Sequence, residues 1–157
     1  MGVWLDWEAQ GARITQNLMH DNFRPEGRTP AQGAMFSNDI FIEVGHGPTL
    51  IDNNVLLSKV SVVIPSEGIA CVHNLMLGSF ALINSGVDSI VNGQREPRYT
   101  PYHIRHRTEV AGFMTILHGD DRIYNNIFVQ NYPVTDKKKT AQANDYEVVG
   151  NSCFDIF

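Results

Sequence analysis

The sequence is short of several things at once. It has two cysteines, Cys71 and Cys153, too few for a disulfide scaffold and too far apart for a metal knuckle, so they assign no compartment. No run approaches the ~18 apolar residues of a membrane span, which excludes a transmembrane helix and leaves a membrane out of the expected partners. The opening MGVWLDWEAQ lacks a basic stretch and an apolar segment, and is not expected to be a signal peptide. Positive charge is scarce too: a formal net charge of -5 argues against nucleic acid as a partner. No stretch sustains a 3.6-residue period, so helices are expected to be minor. Against 18% charged residues stand 43% hydrophobic ones, enough apolar surface to offset ordering entropy and exclude a disordered chain.

What is present is a repeat. RITQNLMHDN (13–22), TLIDNNVLLS (49–58), ACVHNLMLGS (70–79) and RIYNNIFVQN (122–131) share one pattern, and EVVGNSCFDI (147–156) follows it more weakly. Aligning them superimposes Asn17, Asn54, Asn74, Asn126 and Asn151. A second apolar stretch precedes each block: VWLDW (3–7), IFIEV (40–44), VSVVI (60–64) and GFMTIL (112–117). Gly11, Gly47, Gly68 or Asp120–Asp121 punctuate the turn between the two. Each unit thus reads strand, corner, strand. One such unit cannot bury its inner face alone, but stacked units share a core, so the expected fold is all-β, a right-handed parallel β-helix of about five coils spanning 1–157. An antiparallel β-sandwich is the rival fold, but it does not demand the same corner residue each time. Asn suits that corner because it tolerates left-handed backbone and its amide can bond the Asn one coil away. Two inserted loops, about 23–37 and 84–108, interrupt the stack.

The alignment also brings carboxylates into register. Asp6 and Glu43 stand the same distance before Asn17 and Asn54, each flanked by apolar residues. Strand alternation sends those neighbours inward and both carboxylates outward. On adjacent coils they would lie ~5 Å apart, the separation a retaining glycosidase uses for its nucleophile and acid/base. Trp4 shares the outward side of Asp6 and is a candidate to stack on a sugar ring. Glu67, Asp120 and Asp121 are candidates for sugar-hydroxyl contacts, and His46, His103, His106 and Glu109 complete the expected substrate-binding set. His46, His103, His106 and His118 lack the short fixed spacing of a metal site, so neither a metal nor a cofactor is expected.

The strings GVWLDWEAQGARITQNLMHDN (2–22), IFIEVGHGPTLIDNNVLLS (40–58), SEGIACVHNLMLG (66–78) and YTPYHIRHRTEVAGFMTILHGDDRIYNNIFV (99–129) together resemble the later coils of glycoside hydrolase family 120, the parallel β-helix β-xylosidases. The resemblance implies a retaining exo-enzyme that releases xylose from xylo-oligosaccharides, with Asp6 of WLDW as nucleophile and Glu43 of IFIEVGHGP as acid/base. It also implies further coils before WLDW and more chain after the last repeat, and loop 23–37 is longer than the family pattern leads one to expect. The chain is accordingly expected to be a fragment whose ends lack polar caps. Its expected partners are an oligosaccharide or polysaccharide substrate, the missing coils of the parent chain and, at the open edges, another copy of itself in a homo-oligomer. Two readings from other classes are a non-catalytic polysaccharide-binding or adhesin-like β-helix, and a polysaccharide lyase, which would need calcium-binding Asp clusters and a Lys or Arg base.

Overall fold

The computed structural model describes residues 1–7, 9–23, 26–27, 37–83, 88–104, 106–129 and 152–154. Three stacks of short parallel strands make the body. Sheet A joins β1 (Val3–Leu5), β4 (Asn38–Ile42), β7 (Val60–Ile64), β10 (Ser79–Ile83) and β17 (Ser152–Phe154). Sheet B joins β2 (Ala12–Thr15), β5 (Thr49–Asp52), β8 (Ile69–Val72) and β15 (Arg122–Tyr124). Sheet C joins the two-residue strands β3 (Leu18–Met19), β6 (Val55–Leu56), β9 (Leu75–Met76) and β16 (Ile127–Phe128). The chain visits A, B and C in turn and then climbs one coil, which is the path of a parallel β-helix. Among the described residues no helix is long and apolar enough to cross a membrane.

The alternation of strand side chains decides what each coil buries. Ile14, Ile51 and Cys71 stack inward from sheet B, and Ile40, Val62 and Phe80 from sheet A. Leu56 and Met76 close the core from sheet C, while Leu18 and Ile127 on the opposite face stay exposed. Burial in this core pushes the Cys71 thiol up to about 12, which makes it an inert hydrophobe. The outer face of sheet A differs from a solvated surface: Phe41, Val63 and Ala81, aligned across three coils, are all buried.

The repeated asparagines form a ladder. Asn17 Nδ2 donates to Asn54 Oδ1, Asn54 Nδ2 to Asn74 Oδ1, and Asn74 Nδ2 to Asn126 Oδ1, each at 2.9 Å. Each receiving oxygen also takes the backbone N–H of the same donor residue. The left-handed backbone sits one residue earlier than the sequence led us to expect, at Gln16, Asn53, His73 and Asn125, with φ of 58°, 55°, 56° and 54°. That reversal turns the following amide into the stack, so the left-handed position and the ladder position are separate jobs. Asn151 lies outside the described residues. Ser152–Phe154 just after it pair with β10 in sheet A, whereas the ladder asparagines lead into sheet C. The weak fifth repeat is therefore out of phase.

The longer insertion also corrects the sequence reading. GFMTIL was expected to supply the fourth coil's first strand, but β10 does so, one register beside β7. Val110–Met114 instead forms β14, antiparallel to β13 (Thr100–His103). The reason is local: β14 has largely exposed side chains rather than an inward face, and Gly112 lets the Tyr102 ring pack directly on the backbone. A second hairpin, β11 (Asp88–Val91) with β12 (Gln94–Pro97), precedes it. The insertion thus runs between β10 and β15, at the corner from sheet A to sheet B. Most of the other expected loop, 23–37, lies outside the described residues.

Candidate active site

The corner from sheet A to sheet B carries the acidic residues. β1 and β4 pair in parallel with Trp4 opposite Phe41 and Leu5 opposite Ile42. Glu43 N–H then donates to Leu5 C=O at 2.7 Å, which extends the ladder one step past the strands. Asp6 and Glu43 are the next residues of that register, on neighbouring coils spaced ~4.8 Å apart. Both point outward, because Leu5 and Ile42 before them pack on the core. The third coil places Pro65 at this position, so the acidic pair is confined to two coils.

Among the described residues each carboxylate accepts from one donor. Asp6 Oδ1 accepts the Trp7 N–H at 2.8 Å, and the Asp6 carbonyl accepts the Ala9 N–H at 3.1 Å. These are the bonds of an Asp that opens a turn. Glu43 Oε2 accepts the Trp4 indole N–H at 2.9 Å. Trp4 also leans on buried Phe41, ring centroids 6.0 Å apart. Trp7 lies beneath the Arg98 guanidinium, 4.0 Å from its ring centroid, so the insertion reaches the residue next to Asp6. Cation–π contacts at exposed sites are worth ~0.5–1 kcal/mol, enough to bias a loop toward one position.

The other residues expected to bind substrate fall into two further groups. His46 and Glu67 sit behind the pair in a largely buried network. A carboxylate only accepts, so His46 Nδ1 donates to Glu67 Oε1 at 2.7 Å, and its Nε2 lies 2.8 Å from the Thr100 hydroxyl oxygen. Glu67 Oε2 accepts the Leu117 N–H at 2.7 Å. Together these bonds pin both ends of the β13–β14 hairpin to the coil. Gln10 adds a third pin, accepting the His103 N–H at 3.0 Å. The neighbouring Asp121 accepts the Ile69 N–H at 3.0 Å. Burial, reinforced by the Glu67 and Asp120 charges, raises its carboxyl above the ordinary range. Burial likewise lowers His118.

His103 and His106 lie on the far side of the hairpin, lining a groove with Gln10, Gly11, Pro48 and Arg107. The groove continues over the outer face of sheet B past Arg13 and Asp120. Its charges are internally paired: Arg13 grips Asp52 through two hydrogen bonds of 2.9 and 2.7 Å, and Arg122 pairs with Asp120. The Arg13 guanidinium holds the Asp52 carboxyl well below the usual carboxylate range. Glu109 is exposed and 3.9 Å from Arg107. The structure therefore gathers Asp6, Glu43 and Trp4 in one patch, while His103, His106 and Asp120 line the groove. Trp7, which flanks Asp6 and which alternation was expected to turn into the core, is exposed instead, because the chain leaves the strand after Leu5; Gln10, Arg98 and Thr100, which the sequence alone did not single out, also belong to the candidate site and its supports. Among the described residues no three His, Cys, Asp or Glu side chains converge as a metal centre needs.

No family model matches the chain, and no curated protein does. Among solved structures, the complex of XylC with xylose is similar, at 32% sequence identity and a TM-score of 0.59. The match covers 96% of this chain and 23% of that one, so the chain spans less than a quarter of its relative's length.

Proposed function

We propose that this chain carries the reacting pair of a retaining exo-glycosidase of β-xylosidase type, acting on xylo-oligosaccharides and belonging to glycoside hydrolase family 120. The observation that carries the proposal is the side-by-side placement of Asp6 and Glu43 on adjacent coils. The likeness to a protein solved with xylose supports the choice of sugar. In the first step an Asp6 oxygen attacks the anomeric carbon as the glycosidic C–O bond breaks, and Glu43 gives its proton to the departing oxygen. In the second, water loses a proton to Glu43 and its oxygen displaces Asp6 from the anomeric carbon, returning both residues to their starting states. Trp7 and Arg98 form one wall of the sugar site, and the pinned β13–β14 hairpin keeps the insertion beside it. The described coils belong to one β-helix domain that is part of a larger enzyme.

The test is hydrolysis of xylobiose, whose poor leaving group needs both the nucleophile and the acid, by the full-length protein. Asp6→Asn and Glu43→Gln should each lower kcat/KM by about a thousandfold or more, and the Asp6 variant should no longer form a glycosyl-enzyme with a 2-fluoro-xyloside. Near-normal turnover in either variant defeats the assignment. The groove over sheet B, with its paired Arg and Asp side chains, favours a second reading in which the solenoid only binds polysaccharide. Xylan binding without hydrolysis by the complete protein would select that reading.

A further inference from the structure

Trp4 was expected to offer its face to a sugar ring, yet its polar edge is engaged by Glu43. The indole Nε1–H is a donor with no acceptor capacity, and it meets Glu43 Oε2 at 2.9 Å. A protonated carboxyl has one oxygen that carries hydrogen and one that only accepts. The oxygen facing Trp4 must be the accepting one, because an O–H directed at an N–H would set donor against donor. The bond is thus compatible with both protonation states of Glu43, and in both it leaves Oε1 as the oxygen that can hold the proton.

Backbone register and a ring contact hold Trp4 in this place. It lies on β1 in register with Phe41, and its ring rests against that buried side chain. Resting on the reading of Glu43 as the acid/base, we infer that Trp4 is a positioning residue: it fixes Oε1 as the oxygen that delivers and recovers the proton. Without the indole N–H the carboxyl can rotate about its last bond, and the proton is then delivered from either oxygen or in the wrong direction.

The experiment compares two substrates in the full-length protein through kcat/KM, which reports the first chemical step. Xylobiose has a poor leaving group and depends on protonation; 2,4-dinitrophenyl β-xyloside has a good one and depends on it little. In Trp4→Phe, which keeps an aromatic ring against Phe41, the ratio of dinitrophenyl xyloside to xylobiose kcat/KM should rise about tenfold or more, since general acid catalysis contributes ~100–10,000-fold. Replacing Trp4 site-specifically by its benzothienyl isostere, which lacks only the N–H, should reproduce that rise and covers the case in which the Phe variant folds poorly. An equal fall on both substrates, or no change on either, in the isostere overturns the inference. Glu43→Gln separates the two levels: if it leaves the ratio unchanged, the acid/base reading itself fails, whereas a large rise there without one in the Trp4 variants defeats only the role of Trp4.

Discussion

The two corners that flank sheet B do opposite things. At the corner into sheet C every described coil places an asparagine, and each asparagine completes the hydrogen bonds of the next. At the corner from sheet A, successive coils place Asp6, Glu43 and Pro65, and the fourth admits two hairpins before reaching sheet B. The difference follows from what each corner buries. Asn54 and Asn74 are almost wholly enclosed, so any other side chain would strand donors and acceptors on two coils at once. The other corner closes with backbone bonds and local turns, such as Gly11 N–H to the Pro48 carbonyl and Glu67 N–H to the Gly45 carbonyl. The side chains of Asp6, Glu43 and Pro65 take no part in these backbone bonds and can change without disturbing the stack. One corner is uniform because it holds the molecule together, and the other is variable because it does not have to.

The strongest way to break this contrast is to cut the ladder in the middle. Asn74→Ala removes bonds to Asn54, Asn126, Ile51 and Val72 and should cost about 3–4 kcal/mol in urea denaturation. Asn17→Ala, which removes a single rung to Asn54 within this chain, should cost only about 1 kcal/mol in residues 1–157. Equal losses at the two positions would mean that the rungs do not support one another. A smaller effect is expected at the variable corner. Glu67→Ala releases His46 and the Leu117 N–H, which should speed amide exchange in Thr100–His103 and Val110–Met114 about tenfold while the ladder amides keep their protection. Faster exchange at Asn54 and Asn74 as well would show that the corners are coupled.

The smallest effects are titrations of opposite sign. Asp52 is held low mainly by its bond to Arg13, so its contribution is present above the ordinary carboxylate range, about pH 4, and is lost as the pH falls further. Asp52→Asn should flatten that acid limb in thermal melts. Asp121 is raised, chiefly by burial, so stability falls as the pH climbs from about 4 through its raised folded value. Asp121→Asn, which keeps an oxygen for the Ile69 N–H, should raise Tm by about 1–2 °C at pH 7 and not at pH 3. A gain at both pH values would assign the effect to packing instead of charge.

The uniform corner could be read from the sequence, and much of the variable one could not. A side chain that must bond its own copy has to recur, so the four ladder asparagines stand out even across unequal spacings. Asp6 and Glu43 were legible for a related reason, since their distance to the ladder is fixed by a complete strand and turn. The place of the long insertion within its coil was not, because the gap between Asn74 and Asn126 is the same wherever the extra residues enter. SFALI (79–83) was therefore overlooked and GFMTIL put in its place. The Glu67–His46–Thr100 chain spans 21 and 54 residues of sequence and joins an insertion to a turn, a contact that no period announces. Alternation did place Trp4 outward, but only the coil spacing brings its N–H to a carboxylate on the next strand.

The ladder has one more property: it has a sense. Every amide-to-amide bond in it runs from the Nδ2 of the lower-numbered coil to the Oδ1 of the higher-numbered one, so this chain of bonds has one direction along the axis. Reversing one rung would set nitrogen against nitrogen and oxygen against oxygen. A column of this kind can be lengthened only by a unit that faces the same way.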